Sequence, residues 1–272
     1  MVFNASRLLG KTVLVTGSSA GIGRATAILF AKAGSNVILL ARRAEALEEV
    51  KQACIDVHQA SKLSHGGQFA AIPFDVSDRV AINGIFDKIP ANLRDIDILV
   101  NNAGYVVGRE HVGDLDESVV EGMFATNVLG LISLTNLFVK GNPDFKSRGK
   151  GHIINLGSVA GREPYAGGSI YTATKHAVNA FTASMMRELI NTPIRVTEVQ
   201  PGMVETEFSL VRFKGDAAAA KAVYAGIEPL TGEDIAEEIV WAASRPPHVN
   251  IAETLIFPVN QASATVFYRA PS

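Results

Sequence analysis

Tyr171 and Lys175 stand four residues apart in a segment of helical spacing, so both side chains leave one face and the ammonium can lie beside the phenol. A phenol that titrates at about 10 is a poor base at neutral pH. A cation next to it favours the phenolate and suits the pair to moving a proton to or from a substrate oxygen. Ser158, just beyond a strand-like run, carries a hydroxyl that can donate a hydrogen bond to the same oxygen. Asn127, in a long apolar segment, can hold a water linking Lys175 to solvent, or it can serve as a packed amide that satisfies backbone groups. The Tyr-x-x-x-Lys spacing recurs by chance, so its weight depends on what surrounds it.

A second group of residues suits phosphate. Thr16-Gly17-Ser18-Ser19-Ala20-Gly21-Ile22-Gly23 follows a β-branched run and opens directly into helical spacing. Gly17 permits the tight turn, and Gly21 and Gly23 permit close contact. The amides of the following helix point partial positive charge at a bound pyrophosphate. About twenty residues further on, such folds place an acid that accepts from adenosine ribose hydroxyls. Arg42 and Arg43 stand there instead. Two guanidinium groups suit a 2′-phosphate, which reads as NADP(H) over NAD(H); the other reading makes them solvated arginines opening a helix. Asp75 and Val76 end a third strand-like run, and Asn101-Asn102-Ala103-Gly104 ends a fourth. These are successive carboxyl ends, where open α/β sheets bind ligands, although turn chemistry alone would also use such residues.

The elements that must position these groups alternate short apolar strands with longer helical segments, the pattern of repeated βαβ units. Strands are expected at 12–16, 36–41, 69–74, 97–101, 152–156, 195–200 and 254–257, and helices at 22–33, 44–60, 79–88, 118–139, 171–191 and 234–244. The fold class is therefore α/β: a Rossmann-type, doubly wound, seven-stranded parallel sheet with helices on both faces, in one domain over 1–272. The stretch from about 203 to 232 breaks the alternation and reads as a substrate-covering insertion.

With 47% hydrophobic residues, the 272-residue chain can bury a large core. A formal net charge of −2 with scattered Lys and Arg excludes a nucleic-acid partner. The single cysteine, Cys54, forms no internal disulfide, and the first residues lack a signal-peptide pattern, so a cytoplasmic setting without membrane attachment is expected. In that setting the acceptor-like triplet Asn4-Ala5-Ser6 goes unmodified. The uncharged run 122–139 has nearly the length of a membrane span, but Thr126, Asn127, Ser133, Thr135 and Asn136 favour a core helix. The histidines show no zinc spacing, and no metal is expected.

Together, the glycine motif, Asn-Asn-Ala-Gly, the helical Asn, the Ser and Tyr-x-x-x-Lys resemble, in order and over residues 11–262, the short-chain dehydrogenase/reductase family. The resemblance implies a tetrad of Asn127, Ser158, Tyr171 and Lys175, with Lys175 also on the nicotinamide ribose. It implies nicotinamide contacts from Pro201, Gly202, Val204 and Thr206, through the pattern Pro-Gly-x-Val-x-Thr. Family members commonly pair through two helices as tetramers, so a homotetramer is expected.

Within the family, NLGSVAGREPYAGGSIYTATKHAVNAFT, PGMVETEFSLVRFKGD and TLIFPVNQAS are similar to NADP-dependent 3-hydroxy acid dehydrogenases. That similarity implies reversible hydride transfer between the nicotinamide and the serine, allo-threonine, 3-hydroxypropionate or 3-hydroxyisobutyrate class. Such substrates carry a carboxylate and need a cation; Arg162 and Arg212 are the candidates. A broad carbonyl or diketone reductase is the alternative enzyme, and a silent NADP-sensing protein is the alternative outside catalysis, against which the intact tetrad argues. Thr174, where Ser is more usual, keeps a hydroxyl.

Overall fold

The computed structural model describes residues 5–140 and 145–270; Asn4 of the acceptor-like triplet lies outside them. Its strands are β1 (Thr12–Thr16), β2 (Asn36–Ala41), β3 (Phe69–Pro73), β4 (Ile98–Asn101), β5 (His152–Leu156), β6 (Arg195–Pro201) and β7 (Glu253–Ile256), all parallel and in the order β3-β2-β1-β4-β5-β6-β7. Every residue of β1, β2 and β4 is buried, as a sheet covered on both faces requires. Successive side chains enter opposite layers: Val13 and Val15 face one core and Leu14 the other.

The first layer is built on α1 (Gly21–Lys32), α2 (Ala44–Ser61) and α10 (Gly232–Ala243), which contribute Phe30, Leu47 and Ile235. The second holds α3 (Arg79–Ile82), α4 (Ile85–Lys88), α6 (Leu131–Lys140) and α7 (Ser169–Glu188), with Phe86, Phe138 and Met185 in its core. The chain first winds outward from β1 through β2 to β3, then returns to place β4 on the other side of β1. Strand direction of travel reverses there, and a crevice opens at the carboxyl ends of β1 and β4.

Two expected helices are interrupted. The 79–88 helix breaks into α3 and α4 at Asn83-Gly84, where glycine costs helix stability. The 118–139 helix consists of α5 (Glu117–Phe124), a π-helical turn at Ala125–Gly130, and α6. A Cβ at Gly130 would overlap the Val76 carbonyl oxygen, so glycine lets this helix approach the segment after β3. Glu117–Lys140 is the one helix among the described residues long and apolar enough to cross a membrane; its Leu134 and Phe138 pack instead in the core on the sheet. The insertion forms α8 (Glu207–Arg212) and α9 (Ala217–Ala222).

A buried polar ladder ties the second layer to the sheet. Asn101 Nδ2 donates to Thr135 Oγ1 on α6 and to Asn155 Oδ1 on β5, both at 2.9 Å, and Asn155 Nδ2 donates to Thr182 Oγ1 on α7 at 2.8 Å. Each amide is satisfied only if α7 sits in one register over β5. The ladder thus fixes the helix that carries Tyr171 and Lys175.

Burial, and then the nearby Arg195 guanidinium, hold the His152 imidazole on β5 well below its ordinary range. Below a pH of about 6.5 the unfolded chain binds a proton that the folded chain refuses, so stability is present above that pH and lost as pH falls. Thermal unfolding between pH 7.5 and pH 5 should therefore show a declining Tm, and His152→Gln should flatten that decline.

Candidate active site

A cavity of about 780 Å³ opens along the carboxyl ends of the strands and is roofed by the insertion and by Gln261, Ala264 and Phe267 of the tail. One end is built on the glycine loop. Gly17 and Gly21 have φ of 65° and 53°, a left-handed backbone that favours glycine. The Thr16 hydroxyl accepts from the amides of Asn102 and Ala103 at 3.0 and 2.9 Å. Asn102 Nδ2 returns hydrogen bonds to the carbonyls of Thr16 and Gly17 at 2.8 and 3.2 Å. The loop after β1 is thereby knotted to the loop after β4.

Gly17, Ser19, Ala20, Gly21 and Ile22 line the cavity, as expected; Ser18 and Gly23 do not. Ser18 turns to the sheet, where both its amide and its hydroxyl donate to the Leu40 carbonyl. Gly23 lies under the loop, where a Cβ would overlap the Gly17 carbonyl and Asn102 Nδ2. Its part is to permit packing.

Arg42 and Arg43 stand at this end, with Asp75, Val76, Asn102, Ala103 and Gly104 along the wall. Arg43 Nη2 reaches Ser19 Oγ at 3.2 Å and Glu207 Oε2, the first residue of α8, at 3.0 Å. Asp75 lines the cavity, and its Oδ1 accepts from the amide and hydroxyl of Ser77. Pro201, Gly202, Val204 and Thr206 form the wall beyond β6. Thr206 caps α8 through the Phe208 amide and packs against Gly21.

Ser158, Tyr171 and Lys175 converge at the other end. Ser158 caps a short turn after β5, its Oγ accepting from the Ala160 amide at 3.1 Å. Phe208 meets the Tyr171 ring edge-on, with centroids 5.5 Å apart. Lys175 Nζ lies 5.9 Å from that ring's centroid and donates to the Leu156 carbonyl at 2.7 Å. Burial raises the Tyr171 hydroxyl above its usual range, as does Tyr165, while the Ser158 hydroxyl and the Arg212 guanidinium pull it back. Burial of the ring dominates, and Lys175 is not among the groups that shift Tyr171 here. Burial also lowers the Lys175 ammonium to about 8, and Glu198 opposes that shift.

Asn127 takes the second of the two roles open to it, the packed amide. Its side chain is buried away from the cavity: Oδ1 accepts from the Tyr105 amide at 3.0 Å, and Nδ2 donates to the Tyr105 carbonyl at 2.9 Å and to Thr174 Oγ1 at 3.2 Å. Both amide protons are taken by protein groups. The side chain therefore works as a packed amide joining the loop after β4 to α7.

The two candidate arginines separate. Arg162 is outside the cavity, held by Gln200 and Glu253, because its side chain points along the sheet toward β7. Arg212 lines the cavity: its Nη1 donates to the Tyr165 hydroxyl at 3.2 Å, its Nη2 to the Gly167 carbonyl at 3.4 Å, and its buried Nε has no partner. Tyr105, Tyr165, Phe208, Tyr224 and Gln261 also line the cavity and were not singled out. Phe208 sits on the short α8 and the others outside regular helices, all without motif spacing. A smaller cavity of about 240 Å³, under residues 106–116, shares only Tyr171 and Val107 with the main one.

The short chain dehydrogenase family matches residues 11–216. An NADP-dependent 3-hydroxy acid dehydrogenase of Schizosaccharomyces pombe is 46% identical over 265 residues, covering 97% of this chain and 98% of the relative. A serine 3-dehydrogenase of Rhizobium radiobacter is 40% identical over 253 residues, covering 93% and 96%. Among solved structures, the closed form of serine dehydrogenase complexed with NADP+ superposes with a TM-score of 0.85 at 39% identity, over 96% of this chain and 100% of that one.

Packing at the glycine loop can be tested directly. A methyl group at position 23 has no room between Gly17 and Asn102. Gly23→Ala should lower the Tm by about 3 °C or more, on the order of what overpacking costs in a domain of this size, as read by circular dichroism melting.

Proposed function

The chain belongs to the short-chain dehydrogenase family, and from that we propose that it is an NADP(H)-dependent oxidoreductase that interconverts short 3-hydroxy acids and their 3-oxo products. The substrates meant are serine, allo-threonine, 3-hydroxypropionate and 3-hydroxyisobutyrate. The residues at the glycine end fit such a cofactor: a cradle closed to any Cβ at Gly17, and two arginines at the rim suited to a 2′-phosphate. When bound, the nicotinamide supplies hydride in reduction and accepts it in oxidation. Tyr171 Oη gives a proton to the carbonyl oxygen in one direction and takes it from the hydroxyl in the other. Ser158 Oγ donates a hydrogen bond to that same oxygen, and Lys175 favours the tyrosinate. Asn127 contributes by holding Thr174, and so the Lys175 turn, against the Tyr105 loop.

The observation that carries the substrate class is Arg212. It is a guanidinium facing the chamber of Tyr171, without an acidic partner among the described residues and with an unpartnered buried Nε. A carboxylate two carbons from the reacting hydroxyl supplies the missing acceptor. Residues 203–232, through α8, act as the cover that brings Arg212 and Phe208 onto the substrate. We take 1–272 as one domain working in the cytoplasm, in keeping with a single buried Cys54, and assembled as a homotetramer. Light scattering at micromolar concentration reads the assembly, and a monomer mass overturns it.

Purified protein with NADP+ and 3-hydroxypropionate, serine or allo-threonine should produce the reduced-nicotinamide absorbance. Uncharged diketones outperforming all of these would favour the broad carbonyl reductase. Tyr171→Phe should cut kcat about a thousandfold while NADPH binding, followed by fluorescence, stays unchanged. Arg212→Leu should raise KM for 3-hydroxypropionate about tenfold or more and leave an uncharged alcohol little affected, since one charge-assisted contact is lost.

A further inference from the structure

Among the described residues, Lys175 and Glu198 are the only lysine, arginine, aspartate or glutamate side chains that are buried. Charges removed from water need a partner, because desolvation disfavours each one alone. The topology places these two near one another without a direct ion pair, joined through the segment at Leu156 and Gly157. Glu198 lies on β6 in register with Asn155 of β5, one residue before Leu156, whose carbonyl accepts from Lys175 Nζ at 2.7 Å. Glu198 Oε2 accepts from Asn179 Nδ2 at 3.0 Å, and Asn179 stands one turn beyond Lys175 on α7.

The second carboxylate oxygen, Oε1, is buried without a hydrogen-bond partner and rests against Gly157. A Cβ at Gly157 would overlap it, so the glycine that follows Leu156 leaves room for the carboxylate under the Lys175 contact. The other charges here are Glu253 on β7 and Arg162 after β5, and these two are paired with each other. Arg162 is thereby occupied by Glu253 and by Gln200, leaving Lys175 as the cation for Glu198. Burial lowers the Lys175 ammonium, and Glu198 opposes that shift; burial raises the Glu198 carboxyl, which Gln200 and Asn179 pull back, Glu253 pushes up and Lys175 pulls down last.

We propose that Glu198 is the buried counter-ion of Lys175, a positioning residue that keeps the ammonium charged beside Tyr171 from behind the sheet. It touches neither substrate nor cofactor and acts only through Lys175. The effect on turnover rests on the reading of Lys175 given above, whereas the pairing does not.

The test is a double-mutant cycle with Glu198→Gln, which keeps shape and an acceptor for Asn179, and Lys175→Met. If the two charges are paired, Lys175→Met strands a buried carboxylate, and adding Glu198→Gln should recover about 3 °C of Tm; in the parent background Glu198→Gln should give no such gain. The alkaline limb of kcat/KM, where Lys175 loses its proton, should move about one pH unit lower in Glu198→Gln, with Glu198→Asp partly restoring it. A Tm change that is the same in both backgrounds, or an unmoved alkaline limb, overturns the proposal. Substantial turnover by Lys175→Met would instead defeat the role given to Lys175 and leave the thermal cycle readable.

Discussion

A parallel sheet covered on both faces leaves its strand ends as the place where polar chemistry can meet solvent, and the rest of this molecule follows from that constraint. β1, β2 and β4 have no exposed residue, so each polar group near them is either paired or moved past the last strand residue. The glycine loop, Asn102, Ser158 and the Pro201-Gly202 turn all begin where a strand stops. Reversal of strand order between β1 and β4 then keeps the two halves of the cavity open to one another.

Much of this was legible in the sequence because the relevant signals are periodic or local. Unbroken apolar runs mark buried strands, and β1, β2 and β5 occupy the expected residues. The glycine loop and the Tyr-x-x-x-Lys turn are local devices whose spacing carries their geometry. Less legible were the features that depend on distant segments. Arg162 and Arg212 look alike along the chain; only the fold turns one toward Glu253 and the other toward Tyr165. The break at Asn83-Gly84 and the π-helical turn at Ala125–Gly130 likewise follow from local glycine cost and from close packing on Val76, which a 3.6-residue period does not report.

Asn127 has two readings along the chain, an amide that holds a water and an amide packed against backbone groups. A polar residue in an apolar helix marks a demand for hydrogen bonds, but not which groups make that demand. Here the backbone of Tyr105 and the hydroxyl of Thr174 take both amide protons. Asn101, Asn155 and Thr182 do the same between strands and helices, so the reacting side chains are held by a polar scaffold inside an otherwise apolar core.

The strand order also sets a schedule for synthesis. β1 meets β2 after a short crossover, with Leu14 opposite Ile38, but its other neighbour is β4, with Leu14 opposite Leu99. On a ribosome adding about 5–20 residues per second, the nascent chain spends on the order of several seconds with one edge of β1 unpaired. That edge belongs to a strand that is wholly buried in the finished fold and is the kind of surface that chaperones shield. The arrangement that opens the crevice for chemistry is thus the same one that delays closure of the centre of the fold.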